Sequence, residues 1–232
     1  MVKGNIPKEL IEKLKREQVE LAKKLNLTDI KPVYEYRYIA GVDTTFLDIW
    51  KNPTKAISSI VVLDIKNNFK VIEKVFAEKV IDFPYIPTFL AYRELPVILE
   101  AYKKLKTKPD IFLIDGMGIL HPRKMGIASH FGVITNTVSV GCGKSKLIGE
   151  FKEPINRRFA YNPVYVDGEH RGYIVRSKVN SKPIFISTGN NISLKSALNI
   201  TLLSITRYRL PEPIRLAHNF LQEYRRKLIK GN

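Results

Sequence analysis

Asp43 lies in the middle of an otherwise apolar stretch, YIAGVDTTFLDIW, where a charge is costly unless a partner or a metal meets it. Asp115 closes the wholly apolar run Ile111-Phe112-Leu113-Ile114 at its carboxyl end, where open α/β sheets gather their ligands. Carboxylate oxygens with open water positions suit Mg²⁺, and a pair of them can orient a phosphodiester and activate water for in-line attack. Glu94, two residues before Pro96, is placed to supply a third oxygen. His218, in Ile214-Arg215-Leu216-Ala217-His218, is a candidate to orient water or stabilise a leaving group. Taken singly, each has an ordinary explanation, a strand-end cap or turn for the acids and a surface or packed position for the histidine. The set points to chemistry more strongly than any member.

The elements that must position these residues read as an α/β chain. Leu10, Ile11, Leu14, Leu21, Ala22 and Leu25 recur at helical spacing after Pro7, which predicts an amphipathic, peripheral helix over 8–25. Segments 36–50, 56–66 and 69–81, rich in Ile, Val, Tyr and Phe, predict a three-stranded antiparallel meander with Lys66-Asn67-Asn68 as a polar turn. A helix follows over 88–106, with a kink or restart at Pro96 beside Glu94. The run at 111–114, wholly apolar, reads as a strand buried on both faces. A helix at 124–135 and a short strand at Val138-Ser139-Val140 complete a β-α-β unit. Strands near 163–167, 172–178 and 183–187 and helices over 193–206 and 212–229 finish the chain. Three antiparallel strands followed by helix, strand, helix, strand is the order of a ribonuclease-H-like fold: a mixed sheet with an antiparallel meander and flanking helices. There the acid on the first strand and the acid on the fourth meet across neighbouring strands. No repeat or flexible linker divides the sequence, so 1–232 is expected to form one domain.

Charge narrows the partners. With 39 Lys and Arg against 22 Asp and Glu, the 232 residues carry a formal net charge of +17, which favours a polyanion. A lysine-rich surface of the thermophile kind would give the same total, so distribution matters more. Between Gly116 and Gly149 there is no Asp or Glu, whereas Arg123, Lys124, Lys144 and Lys146 fall there, and Arg207 to Lys230 is a second basic stretch. No apolar run is long enough to span a membrane and the first twenty residues are charged throughout; with Cys142 the only cysteine, the expectation is a cytoplasmic protein without disulfide or structural zinc. Gly141-Cys142-Gly143-Lys144-Ser145 imitates the end of a phosphate-binding P-loop, but the required earlier glycine is Val138, so a nucleotide triphosphatase is rejected. Lys144, just past a strand, can still face a phosphate.

Several segments in order over most of the chain resemble endonuclease V, the repair nuclease that acts on deaminated adenine. They are Ile39-Ala40-Gly41-Val42-Asp43, Pro84-Tyr85-Ile86-Pro87 leading to Tyr92-Arg93-Glu94, Asp115-Gly116 with Gly118, His121-Pro122-Arg123, Gly126-Ile127-Ala128-Ser129-His130, Gly141 with Lys144-Ser145-Lys146-Leu147, Ile192-Ser193-Leu194 with Ser196-Ala197-Leu198, and Arg215-Leu216-Ala217-His218. The resemblance implies Mg²⁺, with Mn²⁺ able to substitute, and hydrolysis of the second phosphodiester bond 3′ to a deoxyinosine, leaving a 3′-hydroxyl and a 5′-phosphate. It implies Asp43 and Asp115 as metal ligands, Glu94 as a further acid reaching the metal directly or through water, and His218 and Lys144 as active-site supports. Pro84-Tyr85-Ile86-Pro87 would be a wedge, two prolines stiffening a loop whose Tyr85 fills the gap left by a flipped base. Gly116, His121 and Gly126 match the region around that base.

Two departures stand out: Thr88 follows the wedge where the family commonly has Gly, and Ser187-Thr188-Gly189-Asn190-Asn191 replaces the usual Ser-Pro-Gly-His in what reads as a loop. Two other activities fit the same residues, an inosine-specific endoribonuclease and a catalytically silent nucleic-acid-binding protein. Damaged DNA is the expected partner, with RNA as the alternative, no membrane, and a monomer, since the proposed site needs one chain only.

Overall fold

The structure, a computed structural model, describes residues 7–230. The chain opens with helix α1 (Lys8–Ala22). The meander follows as β1 (Tyr38–Phe46), β2 (Thr54–Asp64) and β3 (Lys70–Ile81), paired antiparallel along their lengths. Its second turn is the polar one expected, with the Asp64 side chain accepting from Lys66 N and Asn68 in the left-handed region. Helix α2 (Leu90–Tyr102) leads to β4 (Ile111–Asp115), helix α3 (Ile127–Thr135) to β5 (Ser139–Gly143). Strands β6 (Ala160–Val166), β7 (Glu169–Arg176) and β8 (Ile184–Asn190) precede helices α4 (Leu194–Leu203) and α5 (Glu212–Lys230). One eight-stranded sheet runs in the order β3-β2-β1-β4-β5-β8-β7-β6, parallel only at β1/β4 and β4/β5. This is the ribonuclease-H-like mixed sheet that the sequence order implies.

The period-two alternation of β1 and β4 decides what faces what. Ile39, Ile111 and Leu113 pack with Ile214 and Ala217 of α5 and Leu198 of α4 on one face. Ala40, Val42, Phe112 and Ile114 pack with Leu95, Ile98, Ala128 and Phe131 of α2 and α3 on the other. Asp43 and Asp115 therefore continue the α5 face. Since Val42 pairs with Ile114 in the parallel register, the next residues on the two strands, the two aspartates, are neighbours where that pairing ends.

Several boundaries differ from the sequence reading. No restart occurs at Pro96: α2 runs through it as one helix. A proline deprives one carbonyl in the preceding turn of its donor, but burial of Ala91, Leu95, Ile98 and Ala101 against the sheet outweighs that loss. The helix starts at Leu90 rather than at 88 because Thr88 has φ +68°, and α3 starts at Ile127 rather than 124 because Lys124 has φ +54°. Strand β1 stops at Phe46, leaving 47–53 as a loop. Asp167 and Gly168, with φ +51° and +78°, form the two-residue hairpin turn between β6 and β7, a type I′ signature that shifts both strands toward the N-terminus of their expected spans. The segment Ser187–Asn190 belongs to buried strand β8 rather than to a loop.

Candidate active site

Helix α5 reaches Asp43 because β1 lets it come close. A Cβ on Gly41 would lie 1.9 Å from the Pro213 carbonyl oxygen, so only glycine permits this seating. One turn on, Ser59 Oγ donates to the Ala217 carbonyl at 2.8 Å, and Ser59 is the residue opposite Asp43 in the β1/β2 pairing. The next residue of the helix, His218, then places Nδ1 2.7 Å from Asp43 Oδ2. This hydrogen bond raises the histidine's pKa against the opposing effect of burial. From the other side Lys144, one residue past β5, donates from Nζ to Asp115 Oδ2. Burial favours the uncharged amine, but Asp115 more than offsets this and holds Lys144 above its ordinary value.

Glu94 comes in from α2 and completes a cluster of three carboxylates. Burial, followed by repulsion from Asp115 and Asp43, lifts its pKa well above the usual range. Asp115 is raised by the same two causes, burial first and Asp43 second, with Lys144 opposing. Three carboxyl groups are held together with Lys144 and His218 as their compensating partners, an arrangement that attracts a cation. No group of three His, Cys, Asp or Glu among the described residues is placed to enclose a metal by itself. The donor set is two adjoining aspartates with Glu94 near them, all oxygen, which fits a hard ion that keeps several waters.

These residues line a cavity of about 340 Å³ together with Tyr85, Ile86, Pro87, Thr88, Gly116, His121, Gly126 and Lys144. Of the residues singled out from sequence, only Pro84 and His218 are not in that lining; Pro84 precedes it in the chain, and His218 touches Asp43. Gly116 has φ +149° and a Cβ there would strike Ile127, so the cavity floor needs glycine at that turn. Strand β8 backs the same floor: Ser187 Oγ accepts from Gly118 N at 2.9 Å and the Thr188 carbonyl from Ile119 N at 2.8 Å.

Thr88 occupies the left-handed region that the departure from Gly anticipates, and its surroundings hold it there. Its carbonyl receives His121 Nε2 at 2.9 Å, Gln18 Nε2 at 3.2 Å and an Arg123 amino group at 3.2 Å, while its hydroxyl accepts from Arg123 at 2.8 Å. A β-branched residue at positive φ costs on the order of 1–3 kcal/mol, and these donors offset it. His121 Nδ1 accepts from Arg123 N at 3.2 Å, so the partners assign a neutral ring with the proton on Nε2. Burial agrees, pushing the His121 pKa down to about 4. Both ring nitrogens are engaged within the chain, and the ring is part of the wall that fixes the Pro84–Thr88 turn.

Sequence reasoning missed Ser59, Gln18 and the role of Arg93. Gln18 is fully buried although α1 reads as peripheral, and Arg123 Nε donates to its Oε1 at 2.5 Å. A polar residue on the apolar side of an amphipathic helix was the available signal. Arg93 is 2 % exposed, lies over the Phe46 ring and donates to the carbonyls of Ile49 at 2.8 Å and Lys51 at 3.1 Å.

Comparison with known proteins adds a second line. Residues 19–219 match the family described as Endonuclease V. A curated relative of that name from Dictyoglomus turgidum is 44% identical over 92% of this chain and 90% of its own. The crystal structure of the Bacillus subtilis Endonuclease V superposes with a TM-score of 0.89 at 35% identity, covering 98% of this chain and 96% of that one. The Ciona intestinalis Endonuclease V, in complex with a 24mer DNA containing an inosine followed by a ribo-adenosine, has a TM-score of 0.80 at 28% identity, covering 95% and 99%.

Proposed function

The chain belongs to the endonuclease V family, and we propose that it is a Mg²⁺-dependent nuclease that recognises deoxyinosine and hydrolyses the second phosphodiester bond 3′ to it. The observation that carries this reading is the convergence of Asp43, Glu94 and Asp115, with Lys144, on a cavity whose rim is the Tyr85-Ile86-Pro87 turn. The Ciona relative's complex with inosine-containing DNA supports the substrate.

Asp43 and Asp115 would hold the cation, Mg²⁺ or Mn²⁺, with Glu94 reaching it directly or through water. Such an ion supplies charge stabilisation at phosphate oxygens and makes water a stronger nucleophile near neutral pH. The chain's own groups do the rest. His218 fixes the orientation of Asp43, as hydrogen-bonded partners of ligating carboxylates do. Lys144 neutralises Asp115 and presents its ammonium group to the phosphate. Tyr85, 46% exposed at the rim, would fill the stack when the lesion base turns into the cavity, where Gly116, His121 and Gly126 line the receiving surface. All of these residues come from one chain, which supports action as a monomer. Its expected setting is the cytoplasm. Among the described residues no helix is long and apolar enough to cross a membrane.

Asp43→Asn and Asp115→Asn, each purified and shown to be folded, test the assignment. Loss of nicking with retained DNA binding is expected; full activity in both would remove the metal-ligand roles, and nicking by neither parent nor variant would leave the silent binding protein. A second reading, cleavage of inosine-containing RNA, is favoured by the ribo-adenosine that follows inosine in the Ciona complex. Rates on matched DNA and RNA strands decide between them.

A further inference from the structure

Next to the Pro84–Pro87 turn the β1–β2 loop presents Trp50, 62% exposed, with Ile49 beside it at 44%. A single exposed apolar side chain needs no explanation, but this one is held in place by the interior of the protein. Arg93, almost wholly buried, donates to the carbonyls of Ile49 and Lys51, the residues on either side of Trp50. Trp50 N donates to Asp48 Oδ1 at 3.0 Å, and Asn52 Nδ2 donates to Asp82 Oδ1 at 2.8 Å, tying the loop to the segment that enters the turn. The indole meets Tyr85 edge to face, with centroids 6.2 Å apart and planes at 74°. Two aromatic rings at nearly right angles therefore stand together, both largely open to solvent.

A second cavity, of about 410 Å³, runs beneath this loop and is lined by Phe46, Ile49 and Arg225; it shares Thr44 and Glu94 with the carboxylate cavity. The two cavities are thus neighbours, walled in part by the same two residues. Lys51 follows Trp50 in the chain, its side chain 77% exposed and its Nζ 3.8 Å from Asp48 Oδ2. A planar apolar face beside Tyr85, a cation one residue away and a position next to the carboxylate cavity are the components of a stacking platform for a single-stranded base.

We propose that Trp50 is a base-stacking subsite for an unpaired nucleobase next to the one turned into the cavity, so that Tyr85 opens the stack and Trp50 receives the neighbouring base. The inference rests on the nuclease reading given above. Arg93 fixes the backbone on either side of Trp50 before the strand arrives, so the stack costs less ordering.

Trp50 is the only tryptophan, so its fluorescence, excited at the red edge where tyrosine does not absorb, reports on this position alone. The parent protein in chelator is titrated with an end-labelled single-stranded DNA carrying one deoxyinosine, following indole emission and label anisotropy together. Quenching that saturates with binding is expected, and it disappears when one particular nucleotide flanking the inosine is replaced by an abasic residue. Trp50→Ala should weaken binding about tenfold while Trp50→Phe restores most of it, as stacking requires. Unchanged emission at full anisotropy, or Trp50→Ala binding as tightly as the parent, overturns the subsite. Failure of the nuclease reading shows itself differently: inosine and adenine strands would bind alike and neither would be cut, whatever the indole does.

Discussion

His218 Nδ1 lies 2.7 Å from Asp43 Oδ2, joining the last helix to the first strand of the sheet. Two features of β1 and β2 produce this contact, the missing side chain at Gly41 and the Ser59 hydroxyl that holds the Ala217 carbonyl. His218→Ala is expected to lower the cleavage rate by about 10–100-fold, the usual loss when the partner of a ligating group is removed. Ser59→Ala should lower it in the same direction by less, because the helix stays seated on Gly41. Single-turnover rates with circular dichroism as a folding control check both; equal activity in His218→Ala and the parent would detach the histidine from the site.

Tyr85 is expected to govern discrimination more than affinity. Its ring stands at the cavity rim and, among the described residues, meets one aromatic neighbour, Trp50, so its stacking value is realised when the duplex opens. Tyr85→Ala should reduce binding to an inosine-containing duplex about tenfold and leave binding to undamaged duplex nearly as it was. Competition binding with the two duplexes measures this, and equal losses on both would count against the role.

Stability should fall with acid through two histidines. Burial pushes His121 down to about 4, with Thr88 O opposing and Arg123 and His130 adding to it, and burial pushes His130 down to about 4 as well. Tyr92 meets His130 edge-on. A histidine with a depressed folded-state pKa stays neutral in the folded chain while the unfolded chain takes up the proton below its ordinary value of about 6.5. The stabilisation is therefore complete above pH 6.5 and drains away as pH falls toward 4. Each shift corresponds to roughly 3.5 kcal/mol, at about 1.4 kcal/mol per pH unit. Denaturant unfolding from pH 7 to 4.5 should show this slope, flattened when His121→Gln and His130→Gln are combined; an unaltered slope would refute the assignment.

Much of the fold was legible because the sequence states it in local patterns. The apolar run 111–114 ending in Asp115, and the single acid inside the first strand, point to two carboxylates that meet across adjacent strands. The antiparallel meander followed from alternation and one polar turn. What escaped depends on tertiary contact. Helix α2 survives Pro96 through burial of its sheet-facing side, and Thr88 sits at positive φ because Gln18 of α1 and His121 and Arg123 of the turn before α3 converge on it from two distant segments. Neither pattern nor propensity contains such a convergence. The Asp167-Gly168 turn was legible and overlooked, since both residue types there favour the left-handed region.

The most direct test of the account is cleavage itself. The purified protein is incubated with end-labelled duplex DNA carrying one deoxyinosine, with Mg²⁺ and with chelator, and the products are mapped to single-nucleotide resolution. A nick at the second phosphodiester bond 3′ to the inosine, formed only with the metal and leaving a 5′-phosphate, is the predicted result. Binding of the duplex with no cut on it or on the matched RNA, in the presence of Mg²⁺ or Mn²⁺, would contradict the assignment of Asp43, Glu94 and Asp115 as a working catalytic centre.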